Sequence, residues 1–228
     1  MGMRNPSLFS RALQGAVSMG FRRAYPRVQV DAGKFLHHAR RAYSLPITSW
    51  RDIHGLDEEM LAPAADKIIW SSARMAALEG MGLGIGGLAT MLPDMGILAA
   101  ITIRMLQKLS LIYGFEYSTA EEVGGLWLAA ASAAGLDFGR EFVEKRAIEH
   151  LAPRIIDAMA LRVGEEVAEK WVGRVIPLVS AGAAATLNYY FVRSWGSRAQ
   201  RHFVEKHRAV RGHLLSERAL LPAPAHAD

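Results

Sequence analysis

The 228-residue sequence predicts an all-α protein, a compact bundle of about seven or eight helices, on three observations. Helix-start and helix-stop residues punctuate the chain from Asp57 onward, apolar residues between them recur at three- and four-residue spacing, and no stretch alternates apolar and polar residues over a strand's length. Apolar residues make up 51% of the chain and charged residues 21%, with a mean hydropathy of +0.10, which suffices for one sizeable core and excludes disorder as the dominant state. No low-complexity linker divides it. One helical domain over 57–212 is therefore expected, preceded by a basic amphipathic arm over 1–56 and followed by a flexible tail over 213–228.

The arm comes first. Its opening thirty residues hold five arginines and no acid, and Leu8, Phe9, Ala12, Leu13, Ala16, Val17 and Phe21 recur at roughly helical spacing. Such a helix lies on an anionic membrane surface, here with Phe9 and Leu13 as apolar contacts and Arg11, Arg22 and Arg23 as cationic ones; a frayed basic tail is the plainer alternative. No apolar stretch of signal length precedes a small-residue cleavage site, so a secretory signal is not expected. The net charge of +5 is unevenly placed: residues 1–43 carry eight basic side chains against Asp31 alone, residues 193–218 carry seven against Glu205 and Glu217, and the remainder is acidic. Basic ends attract anionic lipid or nucleic acid by the same Coulombic logic.

Each helix has its own punctuation. Asp57 caps one running through Trp70 and Ala77, and Pro93 suits the first turn of another that stops at Gly114. Ser118 and Thr119, followed by Glu121 and Glu122, form a capping box; Gly135 stops that helix, Asp137 starts the next, Pro153 the one after, and Gly173 with Pro177 marks a further break. The charge-free run 123–136 reads as a central helix buried on nearly every side, whereas 155–172 has one apolar stripe opposite Arg162, Glu165, Glu166 and Glu169 and reads as a surface helix.

The most unusual segment is 80–103, in which Asp94 is the one charge and five glycines fall between Gly80 and Gly87. As a single helix it would reach about 36 Å, enough for a bilayer, but those glycines, Pro93 and Asp94 argue for a re-entrant hairpin or a closely packed helix pair. Gly82 and Gly86, four apart, clear one helix face for close approach and are candidate membrane contacts. Gly82, Gly84 and Gly87 also fit a dinucleotide-binding spacing, which is discounted because no strand precedes it. In the following helix, Arg104, Gln107 and Lys108 form a narrow polar stripe. A second charge-free run, 175–192, carries Asn188 and is read as a buried core helix, followed at once by the basic C-terminal segment.

Chemical signatures are sparse. Without cysteine there is no disulfide framework and no thiolate chemistry. No zinc-peptidase, serine-nucleophile or phosphate-loop motif occurs, and the histidines do not cluster with acids at ligand spacing, so no metal, no cofactor and no catalytic residue is assigned. His202 and His207, five apart, point away from each other on a helix and read as solvated imidazoles. Glu79, Asp94, Arg104 and Asn188 are the polar residues set in apolar surroundings, and they are the candidate ligand-binding residues.

The glycine-rich run, Pro93 and Asp94, the segment 103–106 and the ending Ile112-Tyr113-Gly114 resemble the central signature of EcsC family proteins, and Gly182, Asn188, Phe191, Ala199 and Phe203 resemble that family's C-terminal helix. The resemblance covers about Asp66 to Arg208, and the first sixty residues match no pattern of the family. It implies a bacterial, all-helical protein with no established catalytic residues, linked through its operon to an ABC transporter and to secretion. Three functions stay open: a non-enzymatic accessory protein at the cytoplasmic face of the inner membrane, peripheral or hairpin-inserted; a cytoplasmic soluble bundle that holds a lipid or acyl chain in a pocket lined by Met81, Met91 and Met95; and a hydrolase using Glu79 and Asp94 as buried carboxylates. An anionic membrane surface is the expected partner; a nucleic acid is not, because no helix-turn-helix or stacking platform stands out.

Overall fold

The computed structural model describes residues 28–83, 88–117 and 181–220, together with Met19, Ala24, Leu126 and residues 129–132. Among the described residues all regular structure is helical: α1 (Ala32–Ala42), a short 3-10 helix (Trp50–Gly55), α2 (Glu58–Leu83), α3 (Leu88–Ile112) and α4 (Ala181–Leu220). The all-α class stands; these four α-helices and one 3-10 helix are fewer than the seven or eight expected over the whole chain. The expected helices of 118–180 lie outside the described residues, apart from Leu126 and Ala129–Ala131, which are buried as the charge-free run 123–136 requires.

Local chemistry accounts for each start and stop. Asp31 caps α1 by accepting from the Lys34 backbone N–H at 2.9 Å, and Arg40 and Arg41 occupy its last turn, where the carbonyl end of the helix favours cations. Asp52 anchors the 3-10 helix: its carboxylate accepts from the backbone N–H groups of Thr48 and Ser49 at 2.7 and 2.8 Å and from both hydroxyls, and these bonds hold it well below the usual carboxylate range. At α3's end the Phe115 N–H reaches the Ser110 carbonyl and the Gly114 N–H reaches that of Leu111, both at 2.9 Å, with Gly114 at φ +86°. This is a Schellman stop, and glycine is needed there twice over, because a Cβ would also fall 2.7 Å from the His54 ring.

The core is a three-helix assembly of α2, α3 and α4. α2 and α4 run antiparallel in a steady register: Glu58 meets Arg208, Asp66 meets Gln200, Ile69 faces Gly196 and Ala76 faces Asn188. Gly196 also lies against Met105, so α3 runs alongside α4 in the same direction. A Cβ at Gly196 would stand 2.8–2.9 Å from Ile69 and Met105, which makes this the tightest crossing of the three helices. The C-terminal half of α3 is set into the core: Ile101, Ile103, Met105, Leu106, Leu109, Leu111 and Ile112 are all buried, and over residues 101–112 Arg104 is the exposed side chain.

Three expectations need correction. α3 begins at Leu88, so Pro93 lies inside the helix rather than in its first turn; the good helix formers Leu88, Ala89, Met91 and Leu92 extend the helix upstream while proline removes one backbone bond. Gln107 is not part of a solvent stripe: it is buried, donates to the Val28 carbonyl and accepts from the Val30 N–H, both at 3.0 Å, and so clamps the segment before α1 onto α3. Residues 181–192 of the charge-free run and the basic segment after them are one helix of forty residues, about 60 Å long, which continues through residues 213–220. The segment 80–103 is a pair of helices, with α2 ending at Leu83 and α3 starting at Leu88, and no helix among the described residues is long and apolar enough to cross a membrane.

Candidate functional site

Three of the four candidate ligand residues, Glu79, Arg104 and Asn188, have described side chains. Asn188 is buried and donates through Nδ2 to the Ala76 carbonyl at 3.3 Å, which pins α4 to α2. Glu79 is half-buried in the last turns of α2, Arg104 is exposed on α3, and the Asp94 side chain lies outside the described residues. Arg104 stands ten residues beyond Asp94 on α3, about 15 Å along the axis, so these two do not share a site. Met81, expected to line an acyl pocket, is instead among the exposed residues, and the side chains of Met91 and Met95 lie outside the described set. Of the candidate membrane contacts, Phe9, Arg11, Leu13, Arg22, Arg23 and Gly86 lie outside the described residues, while Gly82 sits in the final turn of α2. Among the described residues no group of three or more His, Asp or Glu is placed to hold a metal ion.

Three features organise the polar and exposed chemistry. The first is basic. α1 buries Phe35 and Ala39 and turns His37, Arg40 and Arg41 outward, where with Ser44 and Leu45 they line an open pocket of about 530 Å³ with no carboxylate among the described residues of its lining. Ser44, at φ 54°, makes the left-handed turn after the helix. Asp31 and Asp52, the acids nearest in sequence, are engaged by Lys34 and by Thr48 and Ser49 respectively.

The second is the end of the bundle where α2 stops and α4 starts. Met75, Leu78 and Met81 on α2, Ile97 on α3 and Tyr190 on α4 are all exposed there. The opposite end is closed by ion pairs, Arg208 with Glu58 and Arg211 with Asp57. Met60, Leu214 and Leu215 are exposed at that end as well, so among the described residues the two ends differ in their ion pairs rather than in having exposed apolar surface.

The third is a histidine junction that sequence reasoning missed. His207 is 1% exposed, not solvated; its Nδ1 lies 3.3 Å from the Tyr113 carbonyl oxygen and its Nε2 3.1 Å from that of Leu56. The neutral ring donates to one of these at a time. His54 stacks on it at 5.9 Å, with a buried Nδ1 that has no hydrogen-bond partner among the described residues. Burial above all, then the neighbouring His207 and Lys206, pushes His54 below the ordinary imidazole range, while a hydrogen bond to Gly114 works against this. The signal was present: Val192, Trp195, Ala199, Phe203 and His207 are spaced three or four apart on one buried stripe of α4.

This architecture can be set beside known proteins. Residues 23–207 match the profile of the EcsC protein family, which covers most of the chain and ends at the buried histidine. The chain belongs to the EcsC protein family. A relative in Bacillus subtilis (strain 168), protein EcsC, is 32% identical over 133 residues, which amounts to 58% of this chain and 56% of that protein. This EcsC-family chain therefore matches little more than half the length of the curated relative. The family region begins upstream of the resemblance read from the sequence at Asp66, so α1 and the 3-10 helix belong to it. No solved structure matches this EcsC-family chain.

Proposed function

We propose that this chain is a non-enzymatic accessory protein held on the cytoplasmic face of the bacterial inner membrane, where it serves a membrane complex such as an ABC transporter or secretion system. The observation that supports the reading is the outer face of α1, where His37, Arg40 and Arg41 surround an open pocket with no carboxylate among the described residues of its lining. That face follows directly on a segment with five arginines and no acid in its first thirty residues. Each Lys or Arg held near an anionic bilayer contributes on the order of 1 kcal/mol, so two arginines here and five upstream give reversible, salt-sensitive attachment without a spanning helix.

The test is flotation of the full-length protein with neutral and anionic vesicles at low and high salt. Binding to anionic vesicles that weakens at least tenfold between low and high salt, and weakens again in Arg40→Gln/Arg41→Gln, supports the reading. A protein that stays with the soluble fraction under all four conditions refutes it.

A further inference from the structure

We propose that the open end of the bundle, formed by the C-terminal turns of α2 and the first turns of α4, is the surface that enters an anionic leaflet, end-on and to a depth of roughly 10 Å. The inference rests on the membrane-surface reading above and names the face that makes contact.

The apolar part of this end is contributed by all three core helices. Leu78 and Tyr190 are each 63% exposed, and Met75, Met81 and Ile97 are exposed beside them in level. The α2–α4 register, with Ala76 at Asn188 and Ile69 at Gly196, puts Tyr190 level with residues 74–75 of α2. From residue 75 to the end of α2 and from 181 to 192 on α4, the one charged side chain is the half-buried Glu79.

At the base of the apolar end, level with Met75 and Tyr190, lies a belt of a different chemistry. On α2 the Arg74 guanidinium sits 4.5 Å over the Trp70 ring; on α4 the Arg193 guanidinium sits 5.9 Å from the Tyr189 ring and donates to its hydroxyl at 2.9 Å. Both pairs are four residues apart in sequence, and the register places them at the same level of the bundle. Tryptophan and tyrosine settle at the bilayer–water boundary, and arginine stems lie along apolar surface while the charged head reaches phosphate. Seven residues separate Arg74 from Met81, which is about 10 Å along a helix and matches the depth reached by apolar faces that lie in the headgroup–acyl boundary. Glu79 and Asp94 themselves lie ahead of the belt, and because a carboxylate near the bilayer centre is costly they hold this end in the headgroup–acyl boundary.

The belt's charge selects an anionic leaflet. Lys67, Arg74, Leu78 and Met81 share one face of α2, and the Lys67 ammonium sits 5.6 Å over the Tyr43 ring just past the end of α1. The residue that ends α1 therefore lies beside the rear of this row. Asp66, next to Lys67 in sequence, is held by Gln200 at 3.2 Å. Zwitterionic lipid offers phosphate to Arg74 and Arg193 but no net negative surface charge to attract them.

The chain has no cysteine, so a single label can be placed at will in the full-length protein. Leu78→Cys and Met60→Cys, both at exposed positions of α2 but near opposite ends, are labelled with an environment-sensitive fluorophore and mixed with vesicles of phosphatidylcholine containing phosphatidylglycerol. The expected result is a blue shift at position 78, quenched by acyl-chain nitroxides, with no change at position 60, and at least tenfold weaker vesicle binding by Arg74→Glu/Arg193→Glu. If the protein floats with vesicles while the label at 78 stays in water, the inference falls and surface attachment by the basic arm stands. If the label at 78 is already shielded without lipid and light scattering gives a dimer mass, a second copy covers this end and the inference falls. If nothing floats, both the inference and the membrane-surface reading fail.

Discussion

Replacing His207 with leucine removes a polar side chain that ties α4 both to Leu56, just after the 3-10 helix, and to Tyr113 at the end of α3. The ring is 1% exposed, and leucine has a similar volume, so the cavity term is small and the loss is mainly polar. A neutral imidazole gives one N–H to the Tyr113 or Leu56 carbonyl, and leaving that carbonyl buried without a donor costs about 1–3 kcal/mol. Loss of the ring contacts with His54 at 5.9 Å and Tyr113 at 6.1 Å adds roughly 0.5–1.5 kcal/mol. The sum, about 1.5–4.5 kcal/mol, corresponds to a fall in melting temperature of about 3–18 °C for a chain of this length. The assay is thermal unfolding followed by far-UV circular dichroism at neutral pH, with His202→Leu as the comparison, because His202 is half-buried and makes no such bridge between elements. The reasoning fails if His207→Leu melts within about 2 °C of the wild type, or if the two variants lose equal stability.

Three other outcomes follow from the same structure. His54 is held below the ordinary imidazole range in the fold, so the unfolded chain binds its proton first; stability is full above about pH 6.5 and falls as pH drops through that range, and His54→Phe should flatten the pH dependence of the melting temperature between pH 7 and 5. Gly196→Ala gains up to about 1 kcal/mol of helix propensity but places a Cβ within 3 Å of Ile69 and Met105, so it should melt lower than wild type by a few degrees, and Ile69→Val in the same chain should recover part of the loss, as a double-mutant cycle would register. Gly114→Ala sets a Cβ against the His54 ring at φ +86° and should destabilise by about 1–3 kcal/mol, measured by urea unfolding.

The parts of the fold that were legible in the sequence are those whose signals act within one turn of the chain. Asp57 before α2, the stop at Gly114 and the break between Gly80 and Leu88 are local matters of capping and backbone freedom, and the structure places an element boundary at each. What was not legible depends on a partner remote in sequence. Gln107 reads as one more polar residue on a helix until residues 28–30 are laid beside it, and the angle between His202 and His207 says nothing of Leu56, more than 150 residues away. Pro93 misled for a related reason, since a proline that suits a first turn is also tolerated inside a helix whose upstream residues are strong formers.

Charge counted along the sequence misleads in the same way, and the correction bears on function. The C-terminal segment reads as a second basic arm, yet Arg208 and Arg211 are engaged by Glu58 and Asp57 at the start of α2, at the end of the bundle opposite the apolar one. Those pairs lower the attraction of that segment for an anionic surface. Lys34 is likewise partnered by Asp31. The cations that face outward away from carboxylates among the described residues include Arg40 and Arg41 on α1, Arg74 on α2 and Arg193 on α4, and they lie beside or behind the apolar end rather than along the whole basic termini. A protein attached only by diffuse charge has no need of such a separation. One that rests its apolar end in a leaflet does, because each charge retained at that end would have to be dehydrated on contact, whereas charges one or two turns behind it meet the phosphates.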